Sequence, residues 1–160
     1  MTGPRKGSFD SIDREIMLIL RENARIPAEE IGTRLSLAVE EIERRITALL
    51  SSGAGKLTMV MDPEAFGYKL AADIYLSVDR NREKDIIGDL SALPYVTYLG
   101  HGQEDGEIAV EVRFRNSIDL YSFVKEYLPS IPGVTIEEFT MLPRILKNID
   151  QWIPPTEDFA

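Results

Sequence analysis

The sequence predicts an α+β protein in which a three-helix helix-turn-helix domain precedes a ferredoxin-like βαββαβ domain. Apolar residues recur at helical spacing at the start of the chain, whereas from Leu70 they alternate with polar residues. In the stretch between, Gly55, Pro63 and Gly67 break both periods, and we interpret it as a linker with one short strand, LTMVM. The predicted segments are the helix-turn-helix domain 1–53, the linker 54–69, the ferredoxin-like domain 70–147 and a C-terminal tail 148–160.

Each of the first three predicted helices has one apolar stripe. Asp10 or Ser11 caps the first helix, Pro27 precedes the second, and Gly53 ends the third. The stripes consist of Ile12, Ile16, Ile19 and Leu20, of Ala28, Ile31 and Leu35, and of Val39, Ile42, Ile46, Leu49 and Leu50. Three short helices with tight turns can bury such stripes only against one another, which is the helix-turn-helix arrangement.

Four strands and two helices are predicted in the second half. The strands are LAADIYLSV, YVTYLG, EIAVEVRF and VTIEEFTML. Their order with the helices, βαββαβ, predicts an antiparallel sheet with both helices on one face. We expect Tyr75, Ala109 and Phe139 on the other face, mixed with charged residues, and interpret that face as a dimer surface.

Composition excludes several classes of function. The chain has no cysteine, which rules out disulfides, thiol catalysis and zinc ribbons. No apolar run reaches the roughly 18 residues of a membrane span, and no secretory signal is recognisable, so we expect a cytoplasmic protein. The net charge is −9, with 9 Lys+Arg against 10 Asp+Glu in residues 1–62 and 9 against 17 in the remainder. An acidic second half repels nucleic acid, so any DNA contact must come from the first part.

The sequence resembles the Lrp/AsnC family of transcription regulators (leucine-responsive, asparagine-operon, feast/famine) from Phe9 to about Asp150. The stretches that carry the resemblance are DSIDREIMLILRENARI, IERRITALLSSG, MVMDPEAFGYK, LPYVTYLG and LPSIPGVT. The resemblance implies a winged helix-turn-helix domain that binds double-stranded DNA and a ligand-sensing RAM domain of ferredoxin-like form. It also implies a homodimer that assembles further, commonly into an octamer, and responds to a small-molecule effector such as an amino acid.

The resemblance implies that the third helix reads DNA, and its residues are unusual for that task. Arg44 and Arg45 match the paired basic residues of the family's reading helix, but Glu40 and Glu41 precede them at i,i+4 spacing. The glutamates either stabilise the helix and pair with the arginines, or one accepts from a cytosine amine while an arginine reads guanine or holds phosphate. A third reading is that the helix no longer engages DNA usefully.

Two further residues depart from the family pattern at the DNA-binding end. Ser36 stands where a glycine is usual in the turn between the second and third helices. Ala38 stands where Ser or Thr usually caps the reading helix, a cap worth about 1 kcal/mol that also supplies a phosphate contact.

The resemblance also implies an effector loop after the second strand. Gly100 matches its opening glycine, and Asp105 matches its aspartate only if the loop GHGQEDGE contains an insertion. Glu104 and Asp105 suit the amino group of an amino acid, although a solvated acidic loop is the alternative. His101, the only histidine, is either solvated or a ligand contact, and Gly100 and Gly102 serve turn geometry first.

Two other functions compete with a DNA-binding regulator. One is a co-regulatory module that senses a ligand and acts through hetero-oligomers with little DNA affinity of its own. The other is an enzyme, because relatives of this fold decarboxylate a tetrapyrrole (siroheme), but the stretch EDGEIAVEVRF lacks their His and Arg beside aromatics. We recognise no catalytic group, metal cluster or phosphate loop, and so expect neither an enzyme nor a cofactor.

Overall fold

The computed structural model describes residues 9–147 and 149–159, and its elements follow the predicted order of three helices and then βαββαβ. The chain divides into two compact units. The described residues up to Val60 and those after 148 form the first, here called the head unit. Met61–Lys147 forms the second, here called the sheet unit. The sequence predicts the tail as a separate segment, and its described residues group with the head unit.

The head unit contains the three predicted helices, α1 Ser11–Glu22, α2 Ala28–Leu35 and α3 Val39–Ser51. Asp10 caps α1 in a capping box, since its carboxylate accepts from the Asp13 N–H at 2.9 Å and the Asp13 carboxylate accepts from the Asp10 N–H at 3.0 Å. The apolar stripes meet in one core, whose buried members are Ile16, Ile26, Ile31, Ile42 and Leu49. The predicted helix-turn-helix arrangement is confirmed.

The turn between α2 and α3 is tight and strained at Ser36. This residue ends α2 in the left-handed conformation, with φ 57° and ψ 43°, and is the one non-glycine residue with positive φ in the described part of the chain. Close packing also constrains Gly32, because a Cβ there would lie 2.7 Å from the carbonyl oxygen of Leu37. The glycine that is usual at position 36 in the family would therefore suit this backbone better than serine does.

The linker differs from its prediction. The stretch 55–62 has no regular secondary structure, so the strand expected in LTMVM, and with it a hydrogen-bonded wing after α3, is absent from the described part of the head. A strand needs a neighbour for its backbone groups, and no described residue pairs with this stretch in the single chain. Its apolar side chains remain exposed, among them Leu57, Met59, Val60 and Met61.

The sheet unit has the predicted βαββαβ order. Its strands are β1 Leu70–Val78, β2 Val96–His101, β3 Glu107–Phe114 and β4 Val134–Leu142. Its helices are α4 Glu83–Ser91 and a second helical stretch formed by α5 Ser117–Ser122, a π-helical turn Phe123–Tyr127 and α6 Leu128–Ser130. Within residues 61–147 the strands form one antiparallel sheet in the order β2-β3-β1-β4. The ferredoxin-like prediction is confirmed.

One predicted sheet position is wrong, because β4 contains a bulge. The register between β1 and β4 shifts between Tyr75, opposite Glu138, and Leu76, opposite Ile136, so the alternation of β4 is reset. Phe139 consequently pairs with Ile74 and packs against the core on the helix side, rather than facing outward. Tyr75 remains on the outer face as predicted and is exposed.

Among the described residues, no helix combines the length and the apolar character needed to cross a membrane.

We expect Ser36→Gly to stabilise the head unit. A left-handed L-residue costs about 1–2 kcal/mol, and glycine loses about 0.5–1 kcal/mol more backbone entropy on folding, so the expected net gain in unfolding free energy is about 0.5–1 kcal/mol. Urea denaturation followed by circular dichroism measures it. Ser36→Ala is the matched control, because it keeps the Cβ and therefore the strain. Stabilisation by alanine but not by glycine would contradict this account of the turn.

Candidate nucleic-acid interface and effector loop

The exposed face of α3 is formed by residues at helical spacing opposite the head core. Glu40, Glu43, Arg44 and Thr47 all lie on this face and are exposed. Of the two arginines predicted to contact DNA, Arg44 is more accessible than Arg45, with 66% of its side chain exposed. The face therefore presents one arginine and two glutamates.

Arg45 has a different environment, because its side chain ties α3 to the start of α1. Its Nη1 donates to Asp13 Oδ1 at 2.7 Å and to Asp10 Oδ1 at 2.9 Å, and its Nε donates to Glu41 Oε1 at 2.7 Å. Only 16% of the Arg45 side chain is exposed. The two aspartates are the same ones that form the capping box of α1, so one arginine joins the N-terminus of α1 to the middle of α3.

Arg44 is paired with Glu41 rather than with Glu40, the partner that i,i+4 spacing predicted. Its Nε donates to Glu41 Oε2 at 2.8 Å and its Nη2 to Glu41 Oε1 at 2.7 Å, a bidentate contact at i,i+3. The predicted Glu41–Arg45 pair is formed. Glu41 thus lies between the two arginines and binds both.

These contacts change the acidity of the groups involved. Hydrogen bonds from Arg44 and then Arg45 lower the pKa of Glu41 to about 2. Burial works against ionisation of Asp10, but the backbone N–H of Asp13 and the Arg45 guanidinium outweigh it and lower the Asp10 pKa. The hydrogen bond to Asp13 raises the pKa of Arg45. Glu41, Asp10 and Arg45 are therefore charged at neutral pH.

A small cavity of about 150 Å³ adjoins this cluster. It is lined by Phe9, Asp13, Arg44, Arg45, Ala48 and Leu49. Sites for organic ligands measure roughly 300–1,000 Å³, so this cavity suits water better than an effector.

The start of α3 lacks a side-chain cap, as the sequence indicated. Ala38 occupies the N-cap position with an extended backbone, φ −65° and ψ 147°, and offers no oxygen to the free N–H groups of the first turn. Ser36 is exposed in the turn just before this position. The carboxylates in the first turn, Glu40 and Glu41, complement the helix dipole instead.

The predicted effector loop is shorter than expected, because β2 continues through Gly100 and His101 into the hairpin with β3. Gly100 pairs with Ala109 and His101 with Ile108. The turn proper begins at Gly102, whose N–H donates to the Glu107 carbonyl oxygen at 2.8 Å. Asp105 follows three residues later, within the turn.

The predicted effector residues lie at this end of the sheet with partners that the sequence did not single out. His101 is 61% exposed, and its Nδ1 lies 3.1 Å from Glu83 Oε1 at the start of α4. Asp105 lies 3.5 Å from Arg80, and the Glu104 N–H donates to Glu107 Oε2 at 3.2 Å. The sequence could not indicate that the end of β1 and the start of α4 lie beside the hairpin, because both precede it by about twenty residues.

Close packing explains two of the glycines in this region. A Cβ on Gly100 would lie 2.5 Å from the Tyr98 hydroxyl, and one on Gly102 would lie 2.5 Å from the Glu107 side chain. Gly100 thus accommodates the ring of Tyr98 rather than a turn. Period-two alternation is the signal in the sequence that could have identified Tyr98, since residues 98 and 100 share one face of β2.

The outer face of the sheet is aromatic and acidic. Tyr75 and Tyr98 are exposed on it, and Asp73 lies directly opposite Glu111 across β1 and β3. Burial, and then the charge of Glu111, raise the pKa of Asp73. Ala109, also predicted on this face, is partly buried beside Tyr75.

We expect Arg45→Met to destabilise the head unit by about 1.5–3 kcal/mol at neutral pH, because it removes hydrogen bonds to charged, partly buried groups. The folded pKa values of Asp10 and Glu41 lie below their unfolded values, so the contribution is complete above about pH 4.5. It is lost as the pH falls towards 2. Urea denaturation between pH 7 and pH 2.5 therefore gives a difference between wild type and variant that shrinks with acid.

The matched control is Arg34→Met. Arg34 pairs with the exposed Glu30 on the same helix, a contact worth roughly 0.3–0.5 kcal/mol. Equal effects of the two substitutions would contradict a special role for Arg45.

Comparisons with known proteins agree with this architecture. Residues 9–50 match the family model of the AsnC-type helix-turn-helix domain. The HTH-type transcriptional regulator FL11 of Pyrococcus horikoshii is 33% identical over 127 residues, which are 79% of this chain and 83% of the relative. FL11 of Pyrococcus abyssi is 34% identical over 128 residues, 79% of this chain and 84% of the relative.

Solved structures share the fold over most of the chain. E. coli AsnC has a TM-score of 0.78 at 20% identity and covers 89% of this chain and 98% of its own. A Neisseria meningitidis transcriptional regulator in complex with L-Met has a TM-score of 0.78 at 22% identity and covers 88% of this chain and 94% of its own.

Proposed function

Because the chain belongs to the Lrp/AsnC family of DNA-binding transcription regulators, we propose that α3 of its head unit reads duplex DNA and that its sheet unit binds an amino acid or a similar metabolite. Binding of the metabolite changes DNA binding or assembly. Since this function requires access to DNA, we propose that the protein acts in the cytoplasm. The observation that carries the proposal is that Arg44 is exposed on the solvent face of α3. Because α2 and α3 form the helix-turn-helix, α3 corresponds to the helix that enters the major groove in such proteins.

The two arginines have separate tasks in this proposal. Arg44 contacts DNA, and Glu40, Glu41 and Ser36 lie in the same part of the head at the proposed interface. Arg45 instead holds α3 in place through its hydrogen bonds to Asp10 and Asp13. Each head therefore offers few cations to the phosphate backbone, and the sheet unit is acidic. Because phosphate neutralisation supplies much of the affinity of such proteins, we expect weak binding that depends steeply on salt.

The effector site in this proposal is the β2–β3 hairpin. Glu104 and Asp105 offer carboxylates to an amino group, and His101 is available to a carboxylate of the ligand if it releases Glu83. Gly100 and Gly102 leave room for the Tyr98 and Glu107 side chains that border this site. The L-Met complex of the Neisseria relative supports an amino acid as the ligand class.

We further propose a homodimer formed through the outer face of the sheet, and a higher oligomer such as an octamer. Exposed Tyr75 and Tyr98 give this face apolar area, and association would multiply the DNA-contacting arginines. No residue is assigned a catalytic role. An absorbance band that copurifies with the protein would instead indicate the tetrapyrrole-decarboxylating alternative.

A second candidate function is the co-regulatory module, and one observation favours it. Glu41 already occupies the guanidinium of Arg44 in the free protein, which reduces the charge available to DNA. Mixed oligomers with a related protein, and no DNA binding by this chain alone at low salt, would identify that function.

Arg44→Ala is expected to weaken binding to a labelled duplex from upstream of the protein's own gene by about 1–3 kcal/mol, and to leave folding and assembly intact. Fluorescence anisotropy at low and moderate salt measures the change. We choose the single variant because loss of Arg45 would also loosen the head. Lys84→Ala is the control, since it removes the same charge from the exposed surface of α4 in the sheet unit. Unchanged affinity of Arg44→Ala would remove Arg44 from the interface.

For the effector, a screen of amino acids should find one that raises the melting temperature of the full chain. A ligand at a hundred times its Kd stabilises the folded form by about 2.7 kcal/mol. The double variant Glu104→Gln, Asp105→Asn should lose this shift, whereas Asp89→Asn on the exposed surface of α4 should keep it. A shift that survives the double variant would place the ligand elsewhere.

A further inference from the structure

We propose that Glu41 is a positioning residue that presents Arg44 to a guanine of the operator. The inference rests on the proposed DNA-binding function and deepens it. Glu41 does not touch DNA itself in this account. It holds one edge of the Arg44 guanidinium, so that the opposite end of the guanidinium is aimed at a base edge.

The geometry of the pair determines which donors of Arg44 remain. Glu41 accepts from Nε and Nη2, the side edge of the guanidinium. No partner meets Nη1 of Arg44 among the described residues. The two N–H groups of Nη1 and the second N–H of Nη2 are therefore free, and two of them point in parallel from the end of the guanidinium.

Two parallel donors match guanine in the major groove. Guanine presents two neighbouring acceptors there, O6 and N7, and an arginine that donates to both is the commonest specific base contact. A phosphate oxygen accepts from any edge of an arginine and does not require a fixed orientation. A guanidinium with its side edge occupied and its end free is consequently better suited to reading guanine than to neutralising phosphate.

The carboxylate that holds Arg44 is itself held. Glu41 Oε1 also accepts from Arg45 Nε at 2.7 Å. Arg45 Nη1 in turn donates to Asp13 at 2.7 Å, and Asp13 is only 9% exposed. A continuous series of charged hydrogen bonds thus runs from the capping box of α1 to the exposed end of Arg44. Such pre-organisation lowers the entropy lost when a long side chain is fixed on binding.

Glu41 would have a different effect on DNA binding if it only neutralised Arg44. If Glu41 merely neutralises Arg44, removing its charge frees the arginine and strengthens binding to all sequences alike. If Glu41 positions Arg44, the same change leaves general affinity equal or higher but lowers the preference for guanine. The ratio of specific to non-specific binding therefore separates the two accounts, whereas affinity alone does not.

The experiment selects bound duplexes from a randomised pool with the full chain, and then measures affinities for the selected site and for the same site with one guanine pair replaced. The variants are Glu41→Gln, Arg44→Lys and, as matched control, Glu43→Gln. Glu43 is exposed on the same helix, so its change removes an equal charge without touching Arg44. Arg44→Lys keeps the positive charge but lacks the planar fork. Thermal melting checks each fold, and the contacts of Arg45 to Asp10 and Asp13 should preserve it in Glu41→Gln.

The expected result is a preferred guanine in the wild-type site. Discrimination at this guanine should fall about tenfold in Glu41→Gln and Arg44→Lys and should be retained in Glu43→Gln. Undiminished discrimination in Glu41→Gln, or a selected site with no guanine that depends on Arg44, overturns the inference while leaving DNA binding intact. Failure of the wild type to retain any duplex at minimal salt overturns the proposed function as well.

Discussion

The contact of Arg45 with Asp10 and Asp13 is the interaction on which the head unit depends. A helix-turn-helix has a small core, here five buried aliphatic side chains among the described residues, and such a core by itself fixes the position of its third helix only loosely. The arginine adds a directional link between α3 and the first turn of α1. Because both aspartates also cap α1, the start of one helix and the middle of another are determined together.

This link is consistent with the proposed DNA-reading role of α3 in spite of its acidic residues. A count of charges along α3 suggests that the glutamates neutralise both arginines, but the contacts show that the two arginines have different environments. Arg45 is used internally, Glu41 joins the two arginines, and Arg44 keeps one end of its guanidinium exposed. Replacing a whole buried ionic network by apolar residues often changes stability little, whereas removing one partner is costly, and the better-attested value of such a network is to fix one geometry among several.

The sheet unit shows a comparable separation of local pattern from final position. Val134 and Ile136 begin a regular alternation in β4, but Glu137 and Glu138 interrupt it, and one extra residue in the ladder with β1 turns Phe139 inward to the helices. The hairpin between β2 and β3 likewise extends further than its glycines suggest, so that His101 ends a strand instead of lying in a turn. At that point the strand meets Glu83 of α4, and the candidate effector residues gain partners from a distant part of the chain.

The sequence by itself determined the helices, the strands and their order, because periods of 3.6 and 2 and the capping residues are local properties. It also determined which residues of α3 and of the hairpin are candidates for DNA and ligand. Only the tertiary structure distinguished the exposed Arg44 from the largely buried Arg45, since spacing along α3 cannot reveal that Asp10 and Asp13 lie beside Arg45. The bulge in β4 and the missing linker strand were beyond the sequence for the same reason: both depend on which backbone is available to pair, and that is settled by the fold as a whole.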